Sequence, residues 1–163
     1  METSINIYLP ISELWFLLAI VPLLVILFFV KKIREKPFGY ASIFAAIIII
    51  CFIAYSSYKN SIILKDNQLT VYAGGFSKTF STANACIKVA NFSANSNYQL
   101  SYRSAGTAMA DYRAGYFKNT NGNDVFVLIT GQAKSASQYQ FEQGMLLVED
   151  SPAVLSLMNR ICE

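Results

Sequence analysis

The chain has 163 residues, 54% of them apolar, with 13 basic side chains against 10 acidic ones and no histidine. The missing imidazole excludes Ser-His and Cys-His nucleophile pairs, histidine-ligated zinc or haem, and a histidine general base. Residues 1–60 hold 40 of the apolar residues and the remaining 103 residues hold 48, so a single soluble domain of even composition is excluded as well.

In chain order, the first apolar run is Leu14–Val30, seventeen residues without a charge, fourteen of them Leu, Ile, Val or Phe. At about −0.3 to −0.6 kcal/mol each, such residues favour bilayer insertion by roughly 4–8 kcal/mol in total. Ile11 and Ser12 extend the run, and Pro22 is tolerable in a membrane helix. The second run is Tyr40–Tyr58, with Ile47–Ile50 at its centre and Tyr55 and Tyr58 placed to meet a headgroup boundary. The alternatives are a signal peptide and a buried core helix. Nothing before Lys31 is basic, as a signal peptide requires, and the second run is apolar all round. The expectation for residues 1–60 is therefore a transmembrane hairpin with spans near 12–30 and 40–58. Its connector, 31–39, carries Lys31, Lys32, Arg34 and Lys36 against Glu35 alone, and such residues stay cytoplasmic. This predicts an integral, multi-pass protein of the inner (cytoplasmic) membrane, partnered with the bilayer through two spans. Residues 61–163 then face away from the cytoplasm, the cytoplasmic side being the alternative.

From residue 60 the pattern alternates. Ile62 and Leu64 precede a turn at Asp66-Asn67, Leu69, Val71 and Ala73 follow, and Gly74-Gly75 turns the chain toward Phe76 and Phe80. Ile87 and Val89 mark a further short strand, and Asn91–Asp111 reads as an irregular polar stretch. Gly115–Thr120 pairs with Asp124–Thr130 across Asn121-Gly122, a strong hairpin signal. Val125–Ile129 lacks alternation and reads as a strand covered on both faces, and Gln138–Glu142 with Met145–Val148 forms a last hairpin. A C-terminal helix over 152–162 follows from the cap residues Asp150 and Ser151, Pro152 at the first position, and the spacing of Val154, Leu155, Met158 and Ile161.

The order of these elements, and the residues Leu64-Lys65-Asp66-Asn67-Gln68-Leu69-Thr70-Val71, Gly106…Tyr112-Arg113-Ala114-Gly115-Tyr116-Phe117 and Val148-Glu149-Asp150-Ser151-Pro152-Ala153-Val154-Leu155, resemble bacterial pleckstrin-homology (PH)-like domains attached to membrane hairpins. The resemblance implies that residues 61–163 form a mainly-β barrel of about seven antiparallel strands capped by the helix. It implies little about function, because such folds host many binding roles. Phosphoinositide binding is not carried over, since the first hairpin has only Lys65 and Lys78 and no basic cluster. Residues 60–163 balance eight basic against seven acidic side chains, which gives nucleic acid no electrostatic footprint.

Chemistry is sparse. No cofactor fingerprint, P-loop or nucleophile elbow is present, and Asp66, Asp124 and Asp150 sit at turns or a cap. Asp111, Glu142 and Glu149 remain as carboxylates without a relating motif. Cys51 falls in the second apolar run, whereas Cys86 and Cys162 either join in a disulfide or stay as separate buried thiols. Tyr102-Arg103 and its echo Tyr112-Arg113 give the composition of a binding hot spot, with simple cover of one barrel end as the alternative. The sequence thus predicts a non-catalytic binding or scaffolding module at the cell envelope, without cofactor or metal, that meets a protein or envelope-component partner through Tyr102, Arg103, Tyr112 and Arg113. The alternatives are an accessory subunit working through its hairpin and an envelope enzyme using the three carboxylates.

Overall fold

The computed structural model describes residues 2–9, 19–20, 22, 26, 39–84, 86–93, 98–109 and 111–162. In chain order they give β1 (Thr3–Tyr8), α1 (Gly39–Tyr58), β2 (Lys59–Lys65), β3 (Gln68–Ala73), β4 (Phe76–Ser81), β5 (Ile87–Ser93), β6 (Leu100–Met109), β7 (Tyr112–Asn119), β8 (Asp124–Ile129), β9 (Ser135–Phe141), β10 (Gly144–Glu149) and α2 (Pro152–Ile161).

The first sheet is an antiparallel meander in the order β1-β2-β3-β4. Its two tight turns follow from the residues that occupy them. Asp66 and Asn67 have φ of 49° and 58°, and Gly74 and Gly75 have 59° and 86°, the left-handed pairs that two-residue hairpins demand. Alternation then sends Ile62, Leu69, Val71, Ala73 and Phe80 inward.

The second sheet runs β5-β9-β10-β8-β7-β6, with β8 and β10 parallel and every other pair antiparallel. The parallel pair lies mid-sheet and is apolar on both faces, which is why Val125–Ile129 carries no alternation. Phe126 and Leu128 join the core between the two sheets, together with Tyr139, Phe141, Leu146 and the α2 residues Val154, Leu157 and Met158. Val125, Val127 and Ile129 enter a second core on the opposite face with Phe92, Tyr98 and Phe117. The edges β5 and β6 are consecutive in the chain and joined by residues 94–99. Tyr98 packs into the second core, where its ring meets that of Phe92 at 6.2 Å.

Two contacts fasten the two sheets together, and a disulfide ties α2 to the second. Asn60, fully buried, accepts at Oδ1 from Gly74 N–H at 2.9 Å and from the Tyr112 hydroxyl at 3.1 Å. The Tyr116 hydroxyl donates to the Ser77 carbonyl at 2.9 Å, and its ring meets Phe76 edge-on. A disulfide joins Cys86 to Cys162, with 4.5 Å between Cα atoms and 76 residues of separation, and so pins the end of α2 to the start of β5. At the other end of α2, Ser151 Oγ caps Val154 N–H and Pro152 opens the helix.

The structure corrects the expected fold in two respects. Among the described residues no helix is long and apolar enough to cross a membrane. That overturns the two transmembrane helices, the bilayer as a partner through two spans, and the integral multi-pass location. An apolar count measures transfer energy and does not by itself put a helix across a bilayer. The expected span 12–30 lies outside the described residues except for Ala19, Ile20, Pro22 and Ile26, and the topology determinants Lys31, Lys32, Arg34 and Lys36 lie outside them entirely. The N-terminal residues instead add a strand: β1 pairs with β2 from Thr3↔Leu64 to Tyr8↔Lys59. Leu9 is buried beyond it, and its N–H donates to the Tyr58 carbonyl at the end of α1. Helix α1 presents Phe44, Ile48, Ile49, Phe52 and Tyr55 as exposed side chains.

The second correction concerns the PH-like barrel of about seven antiparallel strands. The described residues form ten strands in two sheets, one pair of them parallel. Hairpin turns advertise only antiparallel neighbours. The β9–β10 hairpin docks through β10 onto β8, a pairing that leaves no local mark. Within the stretch 91–111, residues 91–93 end β5 and Leu100–Met109 form β6.

Two stability measurements follow. Asn60→Ala removes the acceptor of two buried donors and is expected to cost about 2–4 kcal/mol in denaturant unfolding. A cost below 1 kcal/mol would contradict the fastening role. Closing a loop of 76 residues restricts the unfolded chain by about 4–5 kcal/mol on the chain-entropy argument. Cys86→Ser with Cys162→Ser is expected to lower stability on that order, and equal unfolding midpoints would contradict it.

Candidate functional site

Strand β6 begins at two consecutive left-handed residues, Tyr98 (φ 47°) and Gln99 (φ 51°), with the Gln99 carbonyl held by Thr120 N–H at 2.8 Å. Its register against β7 then slips twice, between Leu100 and Tyr102 and between Arg103 and Ala105. Ser101 and Ser104 are therefore extra residues in the strand, and Ser104 Oγ donates to the Tyr116 carbonyl at 3.1 Å. In a regular strand, neighbours point to opposite faces. A bulge re-aims them, and bulges recur beside functional sites. Here the result is that Leu100, Ser101, Tyr102 and Arg103 all line one concavity of about 220 Å³, across from Arg113 and Phe117 of β7.

The floor of this concavity is apolar, from Leu100 and Phe117, both of which reach the second core. Its rim carries the two guanidinium groups and Tyr102, which is 59% exposed. Arg113 is half-buried and lies over the Tyr98 ring at 5.3 Å, a cation–π contact that holds it in place. Among the described residues, no carboxylate lines the concavity. Beyond Tyr102 the opposing Lys118 is paired with Asp124 at 2.9 Å, so that cation is already engaged. The ribbon can take this shape because Gly106 faces Gly115 in register. Both have positive φ, and a Cβ on Gly106 would come 2.2 Å from the Ala114 carbonyl oxygen.

Of the four residues singled out from sequence, the structure brings three together: Tyr102, Arg103 and Arg113. Tyr112 does not belong with them, since it is fully buried and spends its hydroxyl on Asn60. Leu100, Phe117 and Tyr98 were missed. Phe117 sits two residues from Gly115 and could have been phased from the inward Val125–Ile129 partner strand; Tyr98 carries no such signal.

The remaining carboxylates have structural partners or lie apart. Glu149 is buried and accepts from Thr130 N–H at 2.7 Å, from the Thr130 hydroxyl and from Ala133 N–H, closing the β8–β9 connection. Glu142 accepts from the Asn84 amide, and Asp111 packs against Gly131. A second concavity of about 290 Å³ lies above Glu149, lined by Ile7, Gln132, Asp150 and Pro152. Among the described residues, no group of three or more His, Cys, Asp or Glu side chains could hold a metal ion.

Burial pushes the Tyr98 phenol above its ordinary value, and the Arg113 charge pulls it partly back. The phenol thus stays neutral longer in the fold than in the unfolded chain. Its stabilising share is complete below about pH 10 and is lost as pH rises through the folded value. Arg113→Ala should raise the Tyr98 value further in an ultraviolet pH titration, with Tyr98→Phe identifying the signal. An unchanged or lowered value would contradict the stacking. In comparison with known proteins, no family model, no curated protein and no solved structure matches this chain.

Proposed function

We propose that the protein is a non-catalytic binding module that engages a partner protein through the bulged β6–β7 ribbon. The observation that carries this reading is the gathering of Tyr102, Arg103 and Arg113 around an apolar floor that, among the described residues, no carboxylate lines. Tyrosine and arginine supply contact area together with hydrogen bonds, and residues of this kind dominate binding energies. A guanidinium without a neighbouring carboxylate retains its donors for a partner. The engagement of Glu149 and Glu142 with backbone and amide groups supports binding over acid–base chemistry.

The test is affinity capture with the full chain and with Tyr102→Ala/Arg103→Ala/Arg113→Ala. Partners retained by the parent chain should fall by about tenfold or more in the variant, at an unchanged unfolding midpoint. Undiminished capture by a folded variant would overturn this placement of the site.

A further inference from the structure

Strand β6 is the outermost strand of its sheet, and among the described residues it pairs with β7 alone. Its two bulges lie in the first half. From Ala105↔Tyr116 to Met109↔Tyr112 the register is regular, and Ala105, Gly106, Thr107 and Ala108 carry small side chains that leave the backbone approachable. Free strand edges are templates for another strand, and proteins usually blunt them with lysine, proline or a central bulge. The opposite edge, β5, carries such a lysine, Lys88. Strand β6, Leu-Ser-Tyr-Arg-Ser-Ala-Gly-Thr-Ala-Met, has no lysine, proline or acidic residue.

Beside this edge lie two cations, and among the described residues no carboxylate lines their concavity. Arg103 is exposed, and Arg113 is held over Tyr98. A backbone edge offers a hydrogen-bond ladder that a polyphosphate chain cannot use, and Tyr102 alone gives no series of stacking platforms for bases. We infer that an extended acidic peptide adds to β6 as a seventh strand of the sheet, placing an Asp or Glu carboxylate against Arg103 and Arg113. This rests on the binding reading above and assigns its partner class. The ladder contributes affinity and the guanidiniums contribute selection for acidic side chains.

The experiment is fluorescence anisotropy of the full chain with a labelled peptide of about eight alternating Glu and Val residues. Three further probes accompany it: the same peptide with Gln for Glu, the acidic peptide N-methylated at alternate backbone nitrogens, and a thymidine oligonucleotide. The acidic peptide should bind, and binding should weaken about tenfold or more with Gln, with N-methylation and with Arg103→Ala/Arg113→Ala. Arg103→Lys/Arg113→Lys, which keeps the charge, should recover part of the loss. Equal binding of the N-methylated peptide would overturn strand addition, and equal binding of the Gln peptide or displacement by the oligonucleotide would overturn acidic-peptide selection. If no peptide binds while partner capture still depends on Tyr102, Arg103 and Arg113, this inference falls and the binding module stands. If capture is also independent of those residues, both fall.

Discussion

The structure depends on one buried oxygen. Asn60 Oδ1 accepts from the Gly74 turn of the first sheet and from Tyr112 at the start of β7 in the second. Asn60 also follows directly on the junction where α1 becomes β2, so the same residue fixes how the helix leaves the sheet. A polar atom in that position has to be satisfied, and only one mutual placement of turn and strand satisfies it. The apolar core between the sheets tolerates small slides; this acceptor does not. Once Tyr112 is anchored, the phase of β7 is set, and the side of the strand on which Arg113 and Phe117 emerge is set with it.

That phase explains how two identical dipeptides meet opposite fates. Tyr112-Arg113 lies in a regular strand, with the tyrosine inward and the arginine half-exposed. Tyr102-Arg103 lies between two bulges, and both side chains line the same concavity. The sequence echo between them reflects their position on paired strands, with Gly106 opposite Gly115. It does not indicate a shared role.

Much of the local structure was legible in the residues. Asp66-Asn67 and Gly74-Gly75 marked turns because few other residues accept left-handed backbone, and Ser151-Pro152 marked the start of α2 because capping chemistry is local. The both-faced burial of Val125–Ile129 was legible from its unbroken apolar run. What stayed hidden required distant partners. The pairing of Thr3 with Leu64 spans the whole N-terminal segment, and the parallel contact of β8 with β10 skips a strand. Strand β6 does not show in the pattern because its residues do not alternate between buried and exposed. The apolar run up to Tyr58 forms α1, but its composition measures only transfer energy and does not by itself put a helix across a bilayer. At the site, the residue types were visible and their convergence was not, because convergence comes from the register slips at Ser101 and Ser104.

The Cys86–Cys162 bond divides the molecule mechanically. Every strand of the second sheet and the whole of α2 lie within the 76-residue ring, while α1 and the first sheet lie outside it. A load applied to the chain on both sides of the bond passes through the two sulfurs and bypasses everything between them. Strands β1–β4 would peel away under such a load, and the extended chain would be shorter by about 250 Å than its residue count allows. The ring would keep the β6 edge, with Arg103 and Arg113, in place under tension: the part that would hold a partner is the part that force cannot reach.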